Sequence, residues 1–223
     1  MNKKRLLIIL GSILLLGLTL FFSLSKLSKN RITIEPYSKY ELSILVNAYK
    51  KEGLEKTTVR FRYDGKNGKI SSDKEDIDAY LISEKLQYLK KETVYSYTPK
   101  SFYDDLNDLI SDIKRADELN ETGDYKRYST VLDFKTMNKF LSALCFDKKT
   151  SSDTLVKFNI LDSHVSSFEF SLSDIEGYDK IDVMLHLESL DEDYKVNTSK
   201  ILGNTVRPYN YEDVKENIFT IVR

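Results

Sequence analysis

The stretch TLVKFNILDSHVSSFEFSLSDIEGYDKIDVMLHLESL (residues 154–190) decides the fold that the sequence predicts. It divides into three runs in which apolar and polar residues alternate, as they do in half-buried strands. The third run alternates most cleanly, with Ile181, Val183, Leu185 and Leu187 pointing one way and Asp182, His186 and Glu188 the other. Short links between the runs predict antiparallel pairing, so we expect a three-strand meander with one apolar face.

Further strands are predicted nearer the N-terminus. RITIEP (31–36) reads as a short strand, and TVRFRYDG (58–65) alternates and ends in a turn-rich segment. IDAYLIS (77–83), a tight turn at EK (84–85) and LQYLKKETVYSYT (86–98) predict a hairpin whose second arm is one bent strand or two short ones. YKRYSTVLDF (125–134) is one more strand, with Tyr128, Thr130 and Leu132 on one face.

Four helices are predicted between and after these strands. The capping-box pair Ser38 and Glu41 favours a helix over 41–52 that stops at Gly53. A second helix follows Pro99 over 100–119 and places four aspartates, Asp104, Asp105, Asp108 and Asp112, on its solvent face. The others are a short helix over 135–146, with Met137, Phe140, Leu141 and Leu144 inward, and one over 211–219.

The fold class that follows is α+β. Each strand has one apolar face, so the helices should cover that face. We therefore predict a curved antiparallel half-barrel sheet, packed on one face by helices and preceded by an N-terminal transmembrane helix.

The order of these elements resembles the LolA/LppX/LprG-like lipoprotein fold group. The resemblance rests on apolar spacing in three stretches within about 75–200: the hairpin of 77–98, the strand and helix of 128–144, and the closing meander. It implies an extracytoplasmic location and a hydrophobic cavity for acyl chains, and it offers no catalytic residues. The sequence departs from the group by lacking a lipid-bearing cysteine after its apolar leader, since its one cysteine is Cys145.

The N-terminal run LLIILGSILLLGLTLFFSLS (6–25) contains no charge. Twenty helical residues span roughly 30 Å, the thickness of a bilayer core. Ser23 and Ser25 could form a poor cleavage site, so a cleaved leader remains an alternative to a retained anchor. The predicted organisation is a cationic tail (1–5), a transmembrane anchor (6–25), a tether (26–37) and one extracytoplasmic domain (38–223). The N-terminus is expected inside, which places the protein in the cell membrane as a single-pass protein with its soluble domain outside the cytoplasm.

Several functional classes are disfavoured by what the sequence contains. The formal net charge of −1 argues against a nucleic-acid partner. The chain holds no nucleophile elbow, zinc-protease, C-x-x-C or phosphate-loop motif, and only two histidines, His164 and His186. The acidic loop SSDKEDID (71–78) lacks the spacing of a calcium-binding loop. We therefore predict no enzyme, no cofactor and no metal site.

Tyrosines crowd the predicted strands and are the candidate ligand-binding residues. Tyr residues also favour strands for their own packing, which is the alternative explanation. The set is Tyr80, Tyr88, Tyr95, Tyr97 and Tyr128, with Tyr125 beside it.

Two functions remain open. In the first, a membrane-anchored binding module holds a lipid or other hydrophobic ligand in a groove between curved sheet and helices. In the second, the domain is a structural or interaction subunit that binds an envelope protein and has no ligand cavity.

Overall fold

The computed structural model describes residues 31–73, 79–90, 92–122 and 125–208. The predicted tail, the predicted anchor, the first part of the tether and the predicted helix over 211–219 lie outside these residues. Within the described residues, no helix is long and apolar enough to cross a membrane.

The described chain forms one open sheet of twelve strands with two helices. The strand order is β12-β6-β5-β4-β3-β2-β1-β11-β10-β9-β8-β7. The strands are β1 (Tyr40–Lys50), β2 (Gly53–Tyr63), β3 (Asn67–Ser72), β4 (Ala79–Ile82), β5 (Lys85–Lys90), β6 (Thr93–Tyr97), β7 (Asp117–Thr122), β8 (Tyr125–Leu132), β9 (Thr154–Leu161), β10 (His164–Leu172), β11 (Lys180–Ser189) and β12 (Thr205–Pro208). The helices are α1 (Asp105–Ser111) and α2 (Phe134–Ala143).

The meander of β9, β10 and β11 confirms the prediction from residues 154–190. Asp162 and Ser163 both have positive φ, +48° and +69°, as a two-residue hairpin turn requires. All four inward residues predicted on β11 are 0–2% exposed. Their side chains form part of the main core, which lies on one face of the sheet, here called the inner face.

The predicted helix over 41–52 is wrong, because this segment is β1, the strand between β2 and β11. Leu42, Ile44, Val46 and Ala48 alternate as buried residues and are at most 4% exposed. Leu45 lies on the opposite face and is 36% exposed. Because an apolar residue occupies this outward position, the alternation of apolar and polar residues is not visible in the sequence. Ladders to strands on both sides outweigh the local capping signal.

The predicted long helix over 100–119 is also wrong in extent. It has seven residues, and Asp105 closes its start by accepting hydrogen bonds from Ser101 Oγ (2.6 Å) and the Phe102 amide (3.1 Å). Of residues 112–119, which we expected to continue the helix, only the last three belong to a strand, β7, which pairs with β8. The helix over 135–146 is confirmed as α2, whose first turn is capped by Asp133 accepting from the Thr136 amide at 2.8 Å.

The sheet is mixed rather than purely antiparallel. After β11 the chain crosses the face opposite the main core, which we call the outer face. There Val196 and Ile201 cover Tyr80 and Val94 in a small second core. The chain then forms β12, which pairs parallel to β6 at the far edge of the sheet. The pairing is parallel because the crossing segment brings the chain back running in the same direction as β11 and β6. Sequence patterns gave no sign of this four-residue strand, whose residues are all exposed.

Candidate binding site

Buried aromatic side chains pack against one another between the sheet and the helices. The Phe61 ring packs edge-on against Phe102 and Tyr103, with centroids 6.1 and 5.7 Å apart. The Phe140 ring of α2 stacks on Phe168 of β10 at 5.3 Å. These five residues are 0–1% exposed. The part of the domain where we expected a ligand groove is therefore a packed aromatic core.

A groove of about 520 Å³ lies instead on the outer face of β9, β10, β11 and β1. Leu45 and Met184 are direct cross-strand partners on its floor, and Leu155 adds a third apolar side chain. These residues are 36%, 48% and 53% exposed. Val131 pairs with Leu155 and is 61% exposed, so the apolar surface continues from the groove onto β8.

The polar wall of the groove already contains internal ion pairs. Glu169 accepts a hydrogen bond from Arg127 Nη2 at 2.6 Å. Asp182 lies 2.8 Å from Lys180 Nζ and accepts from Ser171 Oγ at 2.5 Å. Partial burial acts to raise the pKa of Asp182, but the bonds from Lys180 and Ser171 outweigh it and lower that pKa. An apolar occupant would leave these charges paired with each other.

The five predicted tyrosines do not share one surface. Tyr88, Tyr95 and Tyr97 lie together on the inner face of β5 and β6, where the Tyr88 and Tyr95 rings stack at 5.2 Å. Tyr80 is on the outer face beneath Val196 and Ile201. Tyr128 is on the inner face of β8, near the opposite edge, stacked on Phe158. The structure thus brings three of the five together.

The two histidines have different surroundings and do not contact each other. His164 Nδ1 lies 2.8 Å from the Glu35 carbonyl, and its ring stacks on Tyr37 at 4.5 Å. His186 is exposed on the outer face of β11. Among the described residues, no group of three potential ligands could hold a metal ion.

The groove residues were missed because they occupy positions expected to be polar. Leu45, Leu155 and Met184 are apolar residues on the exposed face of otherwise alternating strands. This break in the alternation of apolar and polar residues was visible in the sequence, because Met184 lies between Val183 and Leu185 in the most regular alternating run of the chain. The sequence does not show which strands pair, and pairing makes Leu45 a neighbour of Met184 and Leu155 a neighbour of Val131.

No protein-family model and no curated protein matches the chain. Among solved structures, the chain is similar to a LolA superfamily protein from Nitrosomonas europaea, with 11% sequence identity and a TM-score of 0.29. The match covers 70% of this chain and 86% of that one. It falls in the fold group that the sequence resembles, and at this level of similarity we carry nothing over about ligand or function.

Proposed function

We propose that the chain is a non-enzymatic binding module, held at the outer side of a cell membrane by residues 6–25, that binds a hydrophobic ligand in the groove on the outer face of its sheet. The observation that carries the proposal is the exposure of Leu45, Leu155 and Met184 in one groove. Large apolar side chains that remain exposed in one groove of a soluble domain mark a surface that binds something.

The size and chemistry of the groove support a hydrophobic ligand. Its volume of about 520 Å³ is within the usual range for small-molecule sites. Leu45, Leu155 and Met184 form the apolar part of the lining, which also contains the polar residues Lys157 and Asp153. The carboxylates Glu169 and Asp182 are engaged by cations of this chain. A ligand without charge therefore gains apolar contact without stripping a carboxylate of its partner.

We also propose that the sheet curves around its helices, as the sequence predicts. Tyr88 of β5 and Tyr128 of β8 belong to one core although eight strand spacings separate their strands. In a flat sheet that separation is roughly 38 Å. Helices of seven and ten residues are only about 10 and 15 Å long. A curved sheet lets two such short helices close one continuous core.

A pair of variants on the outer face of β11 tests the groove. Met184→Gln removes apolar floor, whereas His186→Gln changes the next outward residue on the same strand, which does not line the groove. With purified residues 30–223 and a fluorescent fatty acid, we expect Met184→Gln to weaken binding about fivefold, from the loss of about 1 kcal/mol of apolar contact. His186→Gln should bind like the unmodified protein. No uptake by the unmodified protein, or equal binding by both variants, would rule out the groove as a ligand site.

A second function is favoured by the apolar surface that extends beyond the groove. Val131 is the most exposed of these residues and lies outside the groove lining. An apolar surface that extends beyond the groove suits a protein partner, and the packed aromatic core fits an interaction subunit of the cell envelope. A photo-crosslinker at Val131 in intact membranes should then capture one protein, whereas a crosslinker at Lys69, on the outer face of β3, should not.

A further inference from the structure

Residues 31–37, expected to be a tether with a short strand over 31–36, form no strand beyond a single bridge at Arg31, and hydrogen bonds fasten them to the domain. The Ile32 amide donates to the Lys114 carbonyl at 3.1 Å, and the Glu35 amide donates to the Ser163 carbonyl at 2.9 Å. Ile34 is 5% exposed and belongs to the main core.

The end of this segment is held by α1. The Asn107 side chain accepts from the Tyr37 amide at 3.0 Å and donates to the Tyr37 carbonyl at 2.8 Å. Asn107 is itself buried. A paired amide contact of this kind fixes the direction of the backbone as well as its position. Residues 31–37 are therefore part of the folded domain rather than a spacer.

Little chain is left to separate the domain from the apolar run. The run ends at Ser25 and the docked segment begins at Arg31, so six chain steps connect them. Six residues span at most about 22 Å even when fully extended. If residues 6–25 cross a bilayer, Arg31 cannot lie further than this from the point where the chain leaves the hydrocarbon.

The surface beside Arg31 carries exposed cations. Arg31 forms a β-bridge with Arg115, and Lys114 precedes it; all three are exposed. Lys26 and Lys29 lie in the connecting residues. Carboxylates lie nearby on the chain at Glu35, Asp112, Asp117 and Glu118, but the three exposed residues Arg31, Lys114 and Arg115 are all cations. Clusters of Lys and Arg next to a membrane span attract anionic lipid headgroups within about a Debye length.

We propose that the docked segment 31–37 clamps the domain against the membrane with the corner formed by Arg31, Lys114 and Arg115 facing anionic lipid headgroups. The inference rests on the proposed anchor and adds an orientation to it. The edge of the sheet at β7 lies near the bilayer, and the edge at β12 points away from it.

Depth-dependent quenching of the full chain in vesicles tests this orientation. The native thiol is removed by Cys145→Ser, and a fluorophore is attached either at Asp112→Cys, an exposed residue next to the corner, or at Leu202→Cys, which is 67% exposed near the other edge. The vesicles contain phosphatidylcholine with one-fifth phosphatidylglycerol and a headgroup nitroxide lipid. We expect at least threefold stronger quenching at residue 112 than at 202. Equal quenching, or stronger quenching at 202, would overturn the proposal.

Flotation of the same vesicles separates this outcome from failure of the anchor. A chain that does not float after a carbonate wash contradicts the proposed anchor. Because the orientation depends on that anchor, this result overturns both proposals whatever the quenching. A chain that floats but quenches equally at both positions overturns the orientation alone.

Two further variants divide the proposal into its parts. Thirty Gly and Ser residues inserted after Ser28 should remove the quenching difference while flotation persists. Lys114→Gln with Arg115→Gln should reduce quenching at residue 112 at least twofold, whereas the matched pair Lys56→Gln with Lys69→Gln, on the outer faces of β2 and β3, should not. Unchanged quenching in the corner variant would contradict headgroup contact, and unchanged quenching after the insertion would contradict the short connection.

Discussion

At the residue scale, Asp104 is a half-buried carboxylate with other carboxylates nearby. Asp105, Asp108 and Asp112 are exposed, as expected for a solvent face, but Asp104 is half-buried at the start of α1. Burial raises the pKa of Asp104 to about 6, and the nearby charges of Asp105 and Asp108 add to the shift. The pKa of Tyr63 is also raised, mainly by burial and to a smaller extent by the charge of Asp104. The folded state therefore favours the protonated, neutral form of the Asp104 carboxyl over its charged form.

Replacing Asp104 by Asn should remove a pH dependence. Because the folded-state pKa lies above the ordinary 3.8, this carboxyl contributes stability that is complete below about pH 4 and is lost as the pH rises through about 6. Asp104→Asn should flatten the free energy of unfolding between pH 4 and 6. At pH 7 it should raise that free energy by about 1 kcal/mol, a value discounted for partial exposure.

Urea denaturation at several pH values measures the effect of Asp104→Asn. Asp112→Asn removes a carboxylate from an exposed position beyond the same helix and serves as the control. If both variants change the pH dependence equally, the effect comes from net charge on the helix region and not from burial of Asp104.

At the element scale, the strands with a clean pattern and short links were predictable, and those with an apolar residue facing outward were not. The meander and α2 follow from the period of their apolar residues, which is a local signal. β1 was mistaken for a helix because Leu45 faces outward. The groove could not be predicted for the same reason: its residues look like errors of pattern until Leu45 is paired with Met184. The clustering of Tyr88, Tyr95 and Tyr97, which adjacent predicted strands bring together, was within reach of the sequence.

The pairing of β2 with β3 depends on the absence of a side chain at Gly68. A Cβ at this residue would lie 2.1 Å from Cε2 of Phe61, a ring that is fully buried and surrounded by Tyr40, Phe102 and Tyr103. Gly68→Ala should lower the free energy of unfolding by about 2–3 kcal/mol, because the ring has no free space to move into. Chemical denaturation checks it, with Ser71→Ala on the exposed face of β3 as control. Phe61→Leu combined with Gly68→Ala should lose less than the sum of the single changes; full additivity would show that the clash is not the cause.

At the scale of the whole molecule, the two halves of the outer face differ in whether a segment of the chain covers them. Over β4, β5 and β6 the segment 190–204 supplies Val196 and Ile201 as a cover, and Asp64 holds it by accepting from the Val196 amide at 2.8 Å. Over β8 to β11 and β1 the outer face keeps exposed apolar residues and the groove. The chain can thus cover an apolar outer surface with its own residues, and among residues 31–73, 79–90, 92–122 and 125–208 it does so on one half only. That contrast supports a binding role for the uncovered half.

The cover should be separable from the main core, because its residues form a cluster of their own. Ile201 is 3% exposed and Leu202 is 67% exposed, so Ile201→Asp and Leu202→Asp place the same charge at adjacent residues with opposite burial. A buried, unpaired carboxylate should release the segment at a local cost of roughly 2–3 kcal/mol. Hydrogen exchange in β4, β5, β6 and β12 should then accelerate at least tenfold in Ile201→Asp, while β9, β10 and β11 keep their protection. Leu202→Asp should exchange like the unmodified protein. Acceleration throughout the sheet would mean that the segment is an integral part of one cooperative core, and the two halves of the outer face would then not be independent.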